Sequence, residues 1–192
     1  MADPVLVLAS QSPRRQEILE RAGFRFEVRL SGVEEVRLAE ESPEDYVRRL
    51  SREKALSVSM NANEVVVGAD TVVVVDRHVL EKPASNEDAA RMLALLSGRN
   101  HFVLTGITLR APARLITDVA STRVRFLPLS ADEISAYVAT GEPVDKAGAY
   151  AIQGYASKFV ESIEGCYFNV VGFPVSLFYQ HWKALLAGPP LE

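Results

Sequence analysis

The sequence predicts a mixed α/β (α+β) fold in which helices flank one long, twisted sheet. Short apolar strands alternate with amphipathic helices in the first half of the chain, and two long strands follow each other in the second half. The chain has 192 residues, which is enough to bury a substantial core. Because no internal repeat or linker divides it, we expect residues 1–192 to form a single domain, built as one body or as two closely packed lobes.

The first half of the chain contains five segments with regular patterns. They are a strand at 5–9, a helix that begins at Pro13 and ends at Gly23, a strand at 24–30, a helix from 42 to about 61 and a strand at 65–75. The first strand is a continuous apolar run, typical of a strand that is buried on both faces. Ser12 is the expected cap of the first helix, because proline follows it at the first helical position. Gly68-Ala69-Asp70 is a polar break inside a strand that is otherwise β-branched.

Turn signals and apolar patterns define seven segments in the second half. They are a turn at 76–78, a helix at 86–96, strands at 101–110 and 115–127, a helix that ends at Gly141, a strand at 159–163 and a helix at 174–186. The two long strands are separated by a short turn and predict an antiparallel hairpin. Ser130 and Glu133 form a capping box for the helix that follows the hairpin. Residues 142–154 carry few regular signals.

Composition and charge narrow the functional classes. Hydrophobic residues make up 48% of the chain and charged residues 24%, as in an ordinary folded enzyme. The formal net charge is −4, so the chain has no global positive field and we expect no nucleic-acid partner. No apolar run approaches the roughly 18 residues of a membrane-spanning helix, and we expect no membrane partner. The single cysteine, Cys166, and an amino terminus without a signal-peptide pattern predict a cytoplasmic protein.

The first candidate site follows the first predicted strand. Residues 10–15 read Ser-Gln-Ser-Pro-Arg-Arg and stand where the strand passes into a helix. Amides at a helix N-terminus, two hydroxyls and two arginines are the donors that an anion such as a triphosphate requires. A simple helix cap with two solvated arginines is the alternative. Ligands of α/β sheets collect at the carboxyl ends of strands, and this position favours the anion site.

The second candidate site is acidic. A carboxylate within an apolar strand is costly unless it binds a metal or pairs with a cation, so Asp70 is a candidate metal ligand or a candidate base that activates water. Glu34 and Glu35 follow the second strand and would add the oxygen ligands that Mg²⁺ or Mn²⁺ prefers. An aspartate bonded to backbone and a solvated acidic loop are the alternatives.

Lysines and one amide complete the candidate residues. Lys54, Lys82 and Lys146 are each typical of a solvated surface when taken alone. Together with a carboxylate and two arginines they match phosphoryl chemistry, in which positive charge surrounds the phosphates and the leaving pyrophosphate. The glycine-rich segment 145–154 fits neither a Walker loop nor a dinucleotide fingerprint, but the amide of Gln153 is able to pair with a base edge.

Six motifs resemble the Maf family of proteins in their order and spacing. They are Ala9–Arg15, Glu53–Ala55, Gly68–Val72, Lys82-Pro83, Leu96–His101 and Asp145–Tyr150. The resemblance covers residues 6 to 174, which is nearly the whole chain. It implies the fold of inosine triphosphate pyrophosphatases, with two lobes and a central cleft. It also implies hydrolysis of nucleoside triphosphates to the monophosphate and pyrophosphate, with a divalent metal, Mg²⁺ or Mn²⁺, as cofactor.

The resemblance assigns roles to eight residues at matching positions. They are Ser10, Arg14 and Arg15 for the phosphates, Lys54 and Lys82 to neutralise them, Asp70 as the base or a metal-linked carboxylate, and Glu35 at the metal with Glu34 beside it. The implied partner is therefore a nucleoside triphosphate substrate.

Three positions bear on the choice of substrate. Arg14, Thr71 and Gln153 match the branch of the family that acts on dTTP and UTP, whereas the branch that acts on 7-methyl-GTP carries tryptophan at the first position. We therefore expect a dTTP/UTP pyrophosphatase, with modified pyrimidine nucleotides as further substrates. The alternatives are a 7-methyl-GTP or purine triphosphate pyrophosphatase, and a non-catalytic nucleotide-binding regulator of septum formation. The sequence leaves the oligomeric state open, a homodimer included.

Overall fold

A computed structural model describes residues 4–187 of the chain and places seven strands and six α-helices in them. The strands are β1 Val5–Leu8, β2 Phe26–Val28, β3 Glu64–Val75, β4 His78–Leu80, β5 Asn100–Ala111, β6 Arg114–Phe126 and β7 Val160–Glu164. The helices are α1 Pro13–Arg21, α2 Pro43–Ser57, α3 Asn86–Leu96, α4 Ala131–Val138, α5 Tyr167–Val171 and α6 Val175–Leu186. Short 3-10 helices occupy Glu142–Asp145, Ala147–Ala149 and Tyr155–Phe159.

The seven strands form one mixed sheet. Its order is β2-β1-β3-β5-β6-β7, and β4 pairs with β3. β1 runs parallel to both β2 and β3, with Leu6 opposite Phe26 on one side and Val65 on the other. The β3–β4 and β6–β7 pairs are antiparallel. A mixed sheet with helices confirms the predicted fold class.

The predicted interruption of the strand at Gly68-Ala69-Asp70 is wrong, and so are several predicted boundaries. The strand runs unbroken through Asp70, because the ladder is made by backbone groups and a polar side chain does not interrupt it. Helix α2 ends at Ser57, four residues before the predicted end, and His78 begins a strand where a turn was expected. Ser12 stands at the N-cap of α1, but its side chain makes no capping bond.

The chain divides into two compact units. Among the described residues, the first unit comprises 4–70, 105–120 and 172–187, and the second comprises 71–104 and 121–171. The single domain and the central cleft expected from the sequence remain predictions. No helix within residues 4–187 combines the length and the apolar character that a bilayer crossing requires.

The core of the first unit lies where α2 covers β1 and β3. Val7 and Val66 of the two strands pack against Ala55 and Val58 at the end of the helix, and all four are buried. A second apolar group centres on Phe24, whose ring lies 5.0 Å from that of Phe178 and meets it edge to face. The first group of contacts fixes α2 on the sheet, and the second joins α6 to the segment before β2.

The core of the second unit is largely aromatic. The Phe126 ring lies 4.8 Å from that of Tyr150 and 5.0 Å from that of His101. The Tyr150 hydroxyl and His101 Nε2 are 2.9 Å apart, and burial lowers the pKa of His101 to about 4. His101 is therefore a neutral core residue, which agrees with the lack of metal-ligand spacing among the histidines in the sequence.

Candidate active site

Two carboxylates accept hydrogen bonds from one buried lysine in the first unit. Lys54 Nζ donates to Asp70 Oδ1 and to Glu35 Oε1, each at 2.6 Å. Lys54 and Asp70 are both 5% exposed, whereas 38% of the Glu35 side chain is exposed. Lys54 lies in the last turn of α2, Asp70 in the middle of β3, and Glu35 in the loop between β2 and α2. The polar residue inside the apolar strand is thus partnered by a cation, as the cost of burying a charge requires.

Gly68 explains how helix and strand come close enough for this contact. A Cβ added at Gly68 would stand 2.3 Å from the carbonyl oxygen of Ser51 and 2.7 Å from the amide nitrogen of Ala55. Asp70 lies two residues along the strand and therefore on the same face as Gly68. Lys54 shares its helix face with Ser51. The glycine therefore sets the distance at which Lys54 reaches Asp70.

We expect Gly68→Ala to lower both stability and activity. The added methyl group overlaps the backbone of α2, so the helix must shift, at a cost of about 1–3 kcal/mol of unfolding free energy. The same shift carries Lys54 away from Asp70. Denaturant unfolding and the kcat/KM of the nucleotide hydrolysis expected from the sequence measure the two effects.

Gly23→Ala is the matched control for that change. Gly23 has a φ of 82°, so alanine is strained there, but an added Cβ meets no atom within 4 Å. The control should lose stability and keep its kcat/KM. Equal kcat/KM values for Gly68→Ala and the unaltered protein would show that the close approach at β3 has no part in the site.

The environment of Asp70 changes its acidity. Burial raises the pKa of the Asp70 carboxyl above its ordinary value, and the negative charge of Glu35 adds to the rise. The positive charges of Lys54 and Arg15 act in the opposite direction and are outweighed by burial. A carboxylate with a raised pKa is a better proton acceptor at neutral pH than an exposed aspartate.

Arg15 and Ser10 are also brought to this site. Arg15 Nη1 donates to Ser10 Oγ at 3.1 Å and to the carbonyl oxygen of Ala69 at 2.7 Å, and Arg15 Nε donates to the carbonyl oxygen of Gly172 at 2.9 Å. Arg15 therefore bonds the peptide group next to Asp70. These bonds give Arg15 a role in holding β3, and phosphate binding by Arg15 and Ser10 remains a prediction.

Arg14 and Glu34 flank these residues in the chain. Arg14 is half-buried on α1, and its positive charge lowers the pKa of Arg15 after the larger effect of burial. Glu34 is exposed on the loop that carries Glu35. Their predicted roles, phosphate binding for Arg14 and metal binding for Glu34, remain predictions.

Thr71, Lys82 and Gln153 belong to the second unit. Thr71 follows Asp70 on β3, Lys82 is exposed between β4 and α3, and Gln153 is exposed in a turn before the last 3-10 helix. The Gly148 amide donates to the carbonyl oxygen of Glu81 at 3.1 Å, so the Lys82 segment adjoins the glycine-rich segment. Their contacts with substrate remain predictions.

Two residues that the sequence did not indicate bind the backbone on either side of Gln153. Tyr137 Oη donates to Glu142 Oε1 at 2.8 Å, and the amides of Ala151 and Tyr155 donate to Tyr137 Oη and Glu142 Oε2, each at 3.1 Å. The sequence gives only an indirect signal for this network. The capping box locates the helix of Tyr137, but nothing in the pattern links Glu142 to the turn.

The donor set at Asp70 fits a hard divalent cation. Mg²⁺ and Mn²⁺ prefer carboxylate oxygens, and Mg²⁺ is commonly held by one or two carboxylates together with water and substrate phosphates. Asp70 and Glu35 supply two such carboxylates, both within hydrogen-bonding distance of the same ammonium group. Within residues 4–187, no group of three or more histidine, cysteine or acidic side chains is arranged to hold a metal ion.

Comparison with known proteins identifies relatives over most of the chain. The family model described as Maf-like protein matches residues 5–185. A dTTP/UTP pyrophosphatase of Koribacter versatilis is 51% identical over 91% of this chain and 91% of its own length. A dTTP/UTP pyrophosphatase of Vibrio cholerae is 52% identical over 88% of this chain and 92% of its own length.

One solved structure is similar over nearly its whole length. It is a nucleoside-triphosphatase / dITP/XTP pyrophosphatase from Mycobacterium abscessus, with 15% sequence identity, a TM-score of 0.45 and coverage of 97% of this chain and 99% of the other. An identity and a TM-score this low say nothing about activity.

Proposed function

The chain belongs to the Maf family, and from this membership we propose that it is a nucleoside triphosphate pyrophosphatase that hydrolyses dTTP and UTP. The observation that carries the proposal is the buried contact of Lys54 with Asp70 and Glu35. It puts a proton acceptor and a cation side by side, which is what a water attack on a charged phosphate requires.

In the proposed reaction, water attacks the α-phosphorus in line with the bond to the bridging oxygen. Asp70 takes a proton from the attacking water, and the new P–O bond forms as the bond from the α-phosphorus to the bridging oxygen breaks. Pyrophosphate leaves with the electron pair of that bond, and the monophosphate keeps the water oxygen. The raised pKa of Asp70 supports its role as the base.

Lys54 has two functions in this scheme. Its ammonium group holds the Asp70 carboxylate at 2.6 Å and so fixes the direction of proton transfer. It also places a positive charge where negative charge grows on the phosphate in the transition state. Ser10, Arg14, Arg15 and Lys82 are proposed to hold the triphosphate, because hydroxyl and cationic groups bind phosphate oxygens strongly.

A divalent cation, Mg²⁺ or Mn²⁺, is the proposed cofactor. Glu35 and Asp70 would hold it, with Glu34 as a further ligand, and it would supply positive charge to the phosphate oxygens. Glu35 is suited to this role because part of its side chain is exposed while one oxygen contacts Lys54. Lys54 would keep the two carboxylates in place.

Arg14, Thr71 and Gln153 support pyrimidine substrates, since all three match the residues expected of the dTTP/UTP branch. Gln153 is exposed, and its amide offers both a donor and an acceptor to a base edge.

Nucleoside triphosphates are cytoplasmic metabolites, which agrees with the cytoplasmic location expected from the sequence. The homodimer also remains a prediction.

The test is a panel of triphosphates offered to the purified protein with Mg²⁺ or Mn²⁺. We expect dTTP and UTP to give the monophosphate and pyrophosphate in equal amounts, measured by chromatography of the products. A chelator should abolish the release, and either cation in excess should restore it.

Three other results would each contradict the proposal in a different way. A preference for 7-methyl-GTP would place the protein in another branch of the family. Binding of UTP without turnover would identify a nucleotide-binding regulator. Full activity in the presence of the chelator would remove the metal from the reaction.

A further inference from the structure

We propose that Tyr137 and Glu142 are positioning residues that hold the turn around Gln153 and thereby set the choice between pyrimidine bases. The inference rests on the proposed function, in which Gln153 contacts the base. Tyr137 and Glu142 are called the clamp below. Neither residue is proposed to touch the substrate.

The clamp accepts hydrogen bonds from the backbone on both sides of Gln153. The amide of Ala151, two residues before Gln153, donates to Tyr137 Oη at 3.1 Å. The amide of Tyr155, two residues after it, donates to Glu142 Oε2 at 3.1 Å. Tyr137 Oη donates to Glu142 Oε1 at 2.8 Å. This bond links the other two into one continuous chain of hydrogen bonds.

The groups of the clamp are themselves held rigidly. Tyr137 is fully buried, and its ring lies 5.6 Å from that of Phe159 and is stacked on that of Tyr155 at 5.7 Å. The backbone nitrogen of Glu142 donates to Thr140 Oγ1 at 3.2 Å, and its carbonyl oxygen accepts from Lys146 Nζ at 2.8 Å. Side chains fixed by packing and by further hydrogen bonds position a site more accurately than a free loop does.

The protonated Tyr137 hydroxyl matches the direction of its hydrogen bonds. Burial raises the pKa of the Tyr137 hydroxyl above its ordinary value, and the hydrogen bond to Glu142 raises it further. The hydroxyl therefore stays protonated and donates to Glu142 while it accepts from Ala151. Glu142 uses one oxygen for Tyr137 and the other for Tyr155.

Gly154 shows how closely the clamp fits the turn. A Cβ added at Gly154 would stand 2.2 Å from Glu142 Oε2, so the carboxylate occupies the space that any side chain would need. The φ of Gly154 is −106°, so a left-handed backbone is not the reason for a glycine at this position. The turn is closed by the Gly154 amide, which donates to the carbonyl oxygen of Ala151 at 3.1 Å.

The position of the turn matters because uracil and thymine differ from cytosine in hydrogen bonding. The 4-position carries an acceptor oxygen in uracil and thymine and a donor amino group in cytosine. A glutamine amide carries both an acceptor and donors, so the place at which the backbone holds it decides which of the two base edges it meets well. A site rejects the wrong base strongly only when its polar groups are fixed, so that the mismatch leaves them unpaired.

The test measures kcat and KM for UTP and CTP in Tyr137→Phe, Glu142→Gln, Gln153→Ala and the double variant Gln153→Ala/Glu142→Gln. Tyr137→Phe keeps the packed ring and removes only the hydroxyl, so it remains informative if Glu142→Gln folds poorly. We expect each clamp variant to lower the UTP over CTP ratio of kcat/KM about tenfold, through a higher KM for UTP at nearly unchanged kcat. In the Gln153→Ala background, Glu142→Gln should have no further effect on the ratio.

Tyr167→Phe and Glu161→Gln are the matched controls. Both residues are exposed in the same unit, and neither contacts the turn in the part of the chain that is described. Both controls should keep the ratio of the unaltered protein.

The outcomes of the test separate the positioning role of the clamp from the proposed function. Clamp variants that turn over UTP with an unchanged ratio would overturn the positioning role alone. A full additional effect of Glu142→Gln in the absence of the Gln153 side chain would overturn it as well, because the clamp would then act by another route. No pyrophosphate from UTP in the unaltered protein would overturn the proposed function and this inference with it.

Discussion

Asp70→Asn should lower kcat for pyrophosphate release from UTP about 10³-fold, which is within the range that a positioned general base contributes. Asparagine has nearly the same shape as aspartate but cannot take a proton from water. KM should change much less than kcat, because the phosphates are proposed to be held mainly by other groups. Steady-state kinetics with UTP and saturating Mg²⁺ measure both constants.

The same variant should stay folded, and the sign of the pKa shift explains why. Because the folded protein raises the pKa of Asp70, folding disfavours its charged form. This cost is present above the folded-state pKa and vanishes as the pH falls below the unfolded value near 3.9. Asparagine removes the cost at neutral pH, and Lys54 keeps Glu35 as a partner.

Asp132→Asn is the control for Asp70→Asn. Asp132 is exposed in the first turn of α4, so the same chemical change there should leave kcat nearly intact. Activity of Asp70→Asn equal to that of Asp132→Asn would remove Asp70 from the reaction.

Lys54→Met should lower kcat/KM about 10²- to 10³-fold, the range observed when one group that stabilises transition-state charge is removed. It should also lower the free energy of unfolding by about 3 kcal/mol at neutral pH, because a buried carboxylate loses its cation. Both effects follow from the 2.6 Å contact of Lys54 with Asp70.

Lys54→Met also predicts a shift in pH dependence. Asp70 must be ionised to act as a base, so kcat/KM of the unaltered protein should fall as the pH falls through the pKa of Asp70. The positive charge of Lys54 lowers that pKa, and its loss should move the acid limb to higher pH. A pH–rate profile of Lys54→Met compared with Lys183→Met, an exposed lysine on α6, measures the shift. Coincident acid limbs in the two variants would contradict the coupling.

The fold was predictable where local signals are strong. The capping box of Ser130 and Glu133 forms as expected at the start of α4, and the predicted bounds of α3 are confirmed. Short elements were missed, since three residues at β4 and five at α5 carry too little pattern to distinguish them from loops. β4 pairs with the end of β3 that precedes it. α5 contacts a distant part of the chain, since Asn169 Nδ2 donates to the carbonyl oxygen of Val103 at 2.9 Å.

The candidate site was predictable as a set of residue types and much less as a set of contacts. A carboxylate inside an apolar strand indicates that it needs a partner, but the pattern does not say that the partner is Lys54. That pairing depends on the close approach of α2 at Gly68, which is a tertiary contact. The clamp of Tyr137 and Glu142 was missed for the same reason, because its hydrogen bonds join α4 and the following 3-10 helix to backbone amides more than ten residues later.

The most direct measurement is the position of the solvent oxygen after hydrolysis of UTP in water enriched in ¹⁸O. Water attack on the α-phosphorus predicts one ¹⁸O atom in the monophosphate and none in pyrophosphate, as read by mass spectrometry of both products. The label should enter neither product when Asp70→Asn replaces the active protein over the same time. Label in pyrophosphate, or orthophosphate as the released product, would contradict the proposed reaction at its central step.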